Sequence, residues 1–200
     1  MTIIERKERE RQKRYHEILS AAEVIFARDG YNTTSMDTIA EEAELSKGTL
    51  YLYFKTKEQL FFSILENKID IFTHKLKQVL SGVCSLNELI EHLVNNQFNF
   101  LSENKYFFKL AISEQCKIDQ IPTSNLREKY IDKQLKLYTL VEESLRKFIP
   151  ITVEYSAKTL TLSLIGAINS YMMNWLLSGQ EEISPDIKHE IVSLFYHGVN

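Results

Sequence analysis

The sequence predicts an all-α protein, with a three-helix N-terminal domain that contains a helix-turn-helix and a larger helical domain after it. Glycine and proline, which interrupt helices, occur only six and three times in 200 residues. Apolar residues recur at a helical period along most of the chain, and we find no convincing strand pattern. Serine or threonine precedes most of these apolar runs, as expected of helix N-caps. An apolar fraction of 44% provides material for a sizeable core.

The first three predicted helices are short and close together in the sequence, which is typical of a helix-turn-helix with a supporting helix. Gly30 ends the first of them, because glycine readily adopts the left-handed conformation found at helix ends. Thr34 or Ser35 can cap the second helix, and Ser46 caps the third. A break at Glu44 separates the second helix from the third. The predicted ranges are residues 15–29, 35–43 and 47–54.

Longer helices are predicted in the rest of the chain. Thr56 caps a fourth helix whose apolar stripe extends to about residue 80. Ser85 caps the fifth, and Ser184 followed by Pro185 opens the last, since proline is favoured in the first helical turn. The remaining predicted ranges are about 104–116, 124–149 and 152–177. The predicted domains are residues 1–55 and 56–200.

Charge and residue spacing exclude several classes of function. The formal net charge is −3, although six lysines and arginines lie within the first fourteen residues. This basic run is either a solvated helix face or a contact to nucleic acid. The two cysteines and five histidines have no metal-binding spacing, and we find no nucleophile motif or phosphate loop. We therefore expect no catalytic residue, metal or cofactor. Without a signal peptide or an apolar run of membrane-spanning length, the sequence indicates a cytoplasmic protein with no membrane partner.

Residues 46–57, with the sequence SKGTLYLYFKTK, have the properties of a DNA recognition helix. Such a helix enters the major groove, so it has to be short and to present its N-terminal side chains. Gly48 allows the backbone to approach a base edge, and Lys47 is a donor beside it. We interpret Lys47, Gly48 and Leu52 as contacts to bases. The hydroxyl groups of Thr49, Tyr51 and Tyr53 and the ammonium group of Lys57 are interpreted as contacts to phosphates. Such contacts position the protein on the DNA.

Residues 15–65 resemble the DNA-binding region of the TetR family of transcriptional regulators. The matching residues are Ile18, Ala21, Ala22, Phe26, Gly30, Tyr31, Thr34, Ile39, Ala40, Ala43, Leu45–Tyr51, Tyr53, Phe54, Lys57, Glu58 and Leu60. The resemblance implies DNA contacts by Thr34, Ser35, Ser46, Lys47, Gly48, Thr49, Tyr51, Tyr53 and Lys57. Two positions depart from the family pattern. Glu44 replaces a usual glycine, so a positive φ there would be strained, and Tyr53 replaces a usual histidine.

The resemblance also implies a homodimer on a near-palindromic operator, with its two recognition helices one DNA turn apart. The last two helices would pack against their copies in a four-helix bundle. One side of the penultimate helix is small: Ser163, Gly166, Ala167 and Ser170. One side of the last helix is apolar: Ile187, Ile191, Leu194, Phe195 and Gly198. Both stripes could instead face the core of their own chain.

The family resemblance further implies a ligand-responsive repressor, released from its operator by a small apolar or aromatic molecule. The middle helices combine aromatic residues with amides, as an apolar pocket with a few polar groups requires. The predicted ligand contacts are Phe107, Phe108, Tyr171 and Trp175. Two alternatives remain open. One is a helical ligand carrier or enzyme with an incidental helix-turn-helix. The other is a DNA-binding protein that activates transcription, or one that answers to a protein partner instead of a ligand.

Overall fold

A computed structural model of the protein describes residues 2–105, 108, 125–149, 156–180 and 183–199. All the regular structure in these residues is α-helical, which confirms the predicted fold class. The helices are α1 (Ile3–Asp29), α2 (Met36–Glu42), α3 (Lys47–Tyr53), α4 (Lys57–Leu80), α5 (Leu86–Glu103), α6 (Asn125–Arg146), α7 (Ala157–Ser178) and α8 (Pro185–Val199).

Most helices begin at the predicted capping residues, but α1 is longer than predicted. Ser35, rather than Thr34, caps α2, and Ser46 caps α3. Helix α1 begins at Ile3 instead of near residue 15, because Thr2 and Glu5 form a reciprocal capping box. Ion pairs between residues three or four positions apart then support its charged first turns. Apolar periodicity could not reveal this segment, since its side chains are exposed on all sides.

The chain divides into two compact units. Unit 1 comprises Met1–Lys68 with Tyr106–Tyr130, and unit 2 comprises Ile69–Lys105 with Ile131–Asn200. Helix α4 belongs to unit 1 in its first half and to unit 2 in its second half. The predicted domain boundary after residue 55 therefore lies within unit 1.

A core of aliphatic and aromatic residues from the first four helices holds unit 1 together. Helix α3 contributes Leu50, and Phe54 follows directly at its C-terminal end. Both side chains are at most 1% exposed, and the ring of Tyr15 lies 5.2 Å from that of Phe54. Because α3 has only seven residues, its position depends on these two buried anchors.

The core of unit 2 is formed by buried side chains of α5, α6, α7 and α8, together with Leu76 from the second half of α4. The inward side of α7 buries Leu164, Ile168 and Met172. By length and composition α7 could also span a membrane, with a mean hydropathy of 1.2. Only 39% of this apolar window is buried within the chain, so burial against neighbouring helices accounts for part of the composition. Ile191 of α8 is 1% exposed and therefore faces the core of its own chain.

The turn between α2 and α3 contains an energetically unfavourable residue. Glu44 has a φ of 54°, in the left-handed region that favours glycine. It occupies the position after the α2 C-cap, where the Leu45 N–H donates to the carbonyl of Ala40 and the Glu44 N–H to that of Glu41. This pair of hydrogen bonds is the Schellman arrangement, which requires a positive φ. The expected strain at Glu44 is thus present.

Replacing Glu44 by glycine should stabilise the protein. The left-handed conformation disfavours a residue with a Cβ, and we expect a gain of about 1 kcal/mol after the greater freedom of the unfolded chain is included. Thermal denaturation should show a rise of about 2–4 °C in Tm. Glu44→Ala is the matched control, because it removes the carboxylate but keeps the Cβ. An equal rise in both variants would contradict backbone strain as the cause.

Candidate nucleic-acid interface and internal cavity

Helix α3 presents an outward surface opposite its buried anchors. We define the α3 surface as Lys47, Gly48, Tyr51 and Leu52, all of which are exposed. Leu52 is 77% exposed, so this surface combines a cation with a large apolar side chain. The structure therefore places four of the residues that the sequence predicted to contact DNA on one continuous surface.

Lys47 is linked to α2 by an ion pair. Its Nζ lies 2.5 Å from Oδ2 of Asp37. The hydrogen bond from Lys47 to Asp37, followed by the attraction of the carboxylate charge, raises the pKa of Lys47 above the ordinary value. Lys47 is therefore a stable cation near neutral pH. Because both side chains are exposed, the pair is screened by water and can open when a stronger anion approaches.

The two predicted serine contacts lie at helix N-termini. The Ser35 hydroxyl accepts a hydrogen bond from the N–H of Thr38, and the Ser46 hydroxyl accepts one from the N–H of Thr49. Each serine oxygen also lies 2.8 Å from the hydroxyl of the same threonine. These hydroxyl groups therefore fix the first turns of α2 and α3, the elements that carry the candidate interface.

Three of the predicted contact residues face the interior of unit 1. Thr34 is 4% exposed, and its hydroxyl donates to the carbonyl of Gly30 at 2.7 Å. Tyr53 is half-buried against the core. The Lys57 ammonium donates to the carbonyls of Tyr31 and Thr34 at 2.6 and 2.7 Å. Sequence spacing alone could not distinguish these side chains from those of the α3 surface.

The basic run at the N-terminus forms the exposed first turns of α1. Four of its six cations pair with acids on the same helix: Arg6 with Glu10, Arg11 with Glu8, and Lys13 and Arg14 with Glu17. The run is therefore a solvated helix face in this structure, one of the two interpretations that the sequence left open.

Unit 2 contains a small, largely enclosed cavity between its helices. Its volume is about 40 Å³, enough for a few water molecules but far below that of a typical ligand pocket. The lining is apolar except for Gln97 and the hydroxyl of Tyr138. The lining residues are Phe72, Leu76, Leu93, Gln97, Leu137, Tyr138, Val141, Leu164 and Ile165.

None of the predicted ligand residues that the structure describes lines this cavity. Phe107 lies outside the described residues, and Phe108 packs against the core of unit 1. Tyr171 is 43% exposed. Trp175 is buried, with the ammonium of Lys105 4.5 Å from its ring centre, and its indole N–H has no hydrogen-bond partner among the described residues.

Gln97 is one of the amides that the sequence places among the aromatic residues of the middle helices, and it lines the cavity although it was not one of the predicted ligand contacts. It lies in the middle of the apolar side of α5, between Leu93 and Leu101. Its amide donates to the side chain of Asn169 on α7 at 2.9 Å. The sequence signal for this position is a polar amide among apolar neighbours on a half-buried side of the helix.

Comparison with known proteins relates the helix-turn-helix to one family. The model of the family "Bacterial regulatory proteins, tetR family" matches residues 18–64. The Fatty acid metabolism regulator protein of Bacillus subtilis is 24% identical over 196 residues, which cover 96% of this chain and 98% of that protein. The regulator QacR of Staphylococcus aureus is 34% identical over 128 residues, which cover 58% of this chain and 63% of QacR.

A solved structure extends the similarity of fold to the whole chain. The transcriptional regulator FadR from Bacillus subtilis, in complex with stearoyl-CoA, matches with a TM-score of 0.77. The match covers 93% of this chain and 100% of that one, at 19% sequence identity. At this level of identity, the match shows that the two proteins share a fold.

The ion pair between Lys47 and Asp37 predicts that Asp37→Asn increases affinity for duplex DNA. The change removes a negative charge near the α3 surface and frees Lys47 for an acceptor on the DNA. We expect about threefold tighter binding to a fluorescent random-sequence duplex at low salt, measured by anisotropy. Asp132→Asn is the control, because Asp132 forms a similar exposed pair with Lys136 in unit 2. Unchanged or weaker binding by Asp37→Asn would contradict the role assigned to this pair.

Proposed function

Because the chain belongs to the TetR family of bacterial transcriptional regulators, we propose that it is a cytoplasmic repressor that binds operator DNA as a homodimer and is released by a small molecule. The observation that carries the DNA-binding part of this proposal is the α3 surface. It is formed by a short helix that is anchored on one side and exposes a cation, a glycine and two large side chains on the other.

Gly48 supports a contact with a base edge. A Cβ at this position would meet only the hydroxyl of Ser46, at 3.9 Å, so packing within the chain does not require glycine. Glycine nevertheless destabilises a helix relative to alanine, by about 1 kcal/mol in the interior and by less in the first turn, where Gly48 lies. A partner outside the chain that approaches the backbone closely explains this choice. Lys47 and Leu52 beside it suit a guanine edge and a thymine methyl group.

The remaining contacts are proposed to position the protein on the DNA backbone. Tyr51 is exposed and its hydroxyl suits a phosphate oxygen, and Ser35, Ser46 and Thr49 lie at the starts of α2 and α3. Thr34 and Tyr53 face inward, so their proposed contribution is to hold the two helices in place.

Lys47→Ala and Tyr51→Ala should each abolish binding to an operator, because they remove a groove donor and a backbone contact. The probe is a duplex selected by the protein from a random-sequence pool, and binding is measured by gel shift. Circular dichroism and sedimentation should show an unchanged fold and mass, since both side chains are exposed. Lys136→Ala on α6 is the control, because Lys136 is exposed and forms a similar ion pair with Asp132 in unit 2. Unchanged affinity in both α3 variants would overturn the proposed interface.

The proposed dimer face comprises the outward sides of α7 and α8. Ser163, Gly166 and Ser170 are exposed along one side of α7, and a Cβ at Gly166 would meet nothing within 4 Å. A second helix can therefore approach closely there. Leu162 and Leu194 are 50% and 67% exposed, which is unfavourable for large apolar side chains unless a partner covers them.

The proposed ligand is a long-chain fatty acyl compound. A protein of the same fold binds stearoyl-CoA, and a relative similar over nearly its whole length is a fatty acid metabolism regulator. The cavity of unit 2 suits an acyl chain, because its lining is almost entirely apolar. Gln97 and Tyr138 are the polar groups in this lining that could fix the orientation of the ligand.

A change of helix positions on ligand binding follows from the size of the cavity. At about 40 Å³, it has to widen to accept an acyl chain. Phe72 and Leu76 of α4 form part of its lining, and α4 continues into unit 1. A ligand that binds the widened form shifts the population away from the form that binds DNA.

Val141→Phe should fill the cavity and make the protein insensitive to acyl ligands. Val141 is 4% exposed and lines the cavity, so a phenyl ring would occupy the space of the chain. Stearoyl-CoA should release the wild-type protein from the selected duplex but leave the variant bound, as measured by anisotropy. Leu135→Phe is the control, since Leu135 lies on the same helix and is 58% exposed. Release of the Val141 variant at the wild-type concentration of stearoyl-CoA would place the ligand elsewhere.

A further inference from the structure

The ammonium group of Lys57 is enclosed by the connector between α1 and α2. Besides the carbonyls of Tyr31 and Thr34, at 2.6 and 2.7 Å, it contacts the carbonyl of Asn32 at 3.3 Å. The ring of Tyr31 covers it, with 4.5 Å from Nζ to the ring centre. An ammonium group has three N–H donors, and three carbonyl oxygens surround this one.

These contacts join the two ends of the helix-turn-helix. Thr34 directly precedes the N-cap of α2, and Lys57 is the first residue of α4. The segment between them contains α2, the turn and α3. Lys57 therefore closes a loop of the chain and fixes the start of α2 relative to the start of α4. Helix α3 lies between these two points in the sequence.

The same contacts separate Lys57 from Lys47. Lys47 is exposed and its carboxylate partner Asp37 lies at the surface, so it can exchange that partner for an acceptor on DNA. Lys57 is half-buried, and binding a phosphate would leave several backbone carbonyls without their donor. The energetic balance thus favours the internal contacts for Lys57.

We infer that Lys57 is a positioning residue for DNA binding: its ammonium holds the ends of the helix-turn-helix together and makes no contact with phosphate. The inference rests on the proposed DNA-binding function. It predicts that substitution of Lys57 lowers the affinity for DNA without changing the number of phosphates that the protein neutralises.

The salt dependence of DNA binding tests this inference. Lys57→Met and Lys57→Arg are compared with the wild-type protein on a duplex that the wild-type protein selects from a random-sequence pool. For Lys57→Met we expect about tenfold weaker binding, because buried acceptors lose their donor. The slope of log affinity against log salt concentration should stay unchanged. Lys57→Arg should not restore affinity, because a planar guanidinium does not fit carbonyls placed around an ammonium.

A slope in Lys57→Met that is flatter by about 0.9 for each phosphate no longer neutralised would overturn the inference. Wild-type affinity in Lys57→Arg would do the same, since arginine preserves a phosphate contact. If instead the wild-type protein enriches no duplex from the pool, the proposed function fails, and the inference fails with it. These outcomes therefore distinguish an error about Lys57 from an error about DNA binding.

A measurement on the wild-type protein covers the case in which Lys57→Met does not fold. The ¹⁵N-labelled ammonium of Lys57, assigned by its absence in Lys57→Arg, should be visible in the free protein because hydrogen bonding slows its exchange with water. Its signal should stay unchanged when the duplex is added. A signal that appears only with the duplex, or that gains coupling to phosphorus, would identify a phosphate contact and overturn the inference.

Discussion

The burial of one side of α3 is the constraint on which the rest of unit 1 depends. A helix of seven residues is too short to be stable by itself, so tertiary contacts must hold it. Leu50 and Phe54 provide them, and the opposite side of the helix is then left free for a partner. The serine cap at Ser46 and the closure of the chain by Lys57 act on the same short element, each limiting how far it can move.

The helix-turn-helix contains two residues that its own stability does not favour. Glu44 has a left-handed backbone conformation that glycine would adopt more easily, and Gly48 lies in a helix where alanine would be more stable. They differ in their relation to function. The fold explains the strained conformation of Glu44 through the hydrogen bonds that end α2, whereas nothing packed around Gly48 explains the missing side chain. Local preferences that conflict with the fold concentrate at functional sites.

Helix α4 connects the two properties expected of a regulated DNA-binding protein. It begins at Lys57, among the contacts that close the helix-turn-helix, and its second half contributes Phe72 and Leu76 to the cavity of unit 2. A continuous helix transmits displacement along its axis because its backbone hydrogen bonds keep it rigid. Under the proposed function, an acyl ligand has to displace the helices around the cavity, since packed cores respond to added volume by moving whole helices.

The sequence by itself determined the features that depend on neighbouring residues in the chain. The helical period and the caps at Ser35 and Ser46 were readable from it, as was the segment that forms α3. Only the tertiary structure decided which of two similar lysines, Lys47 or Lys57, faces outward, and that Gln97 lines a cavity. The physical reason is that these outcomes depend on contacts between residues 23 or 72 positions apart, and local periodicity carries no information about such pairs.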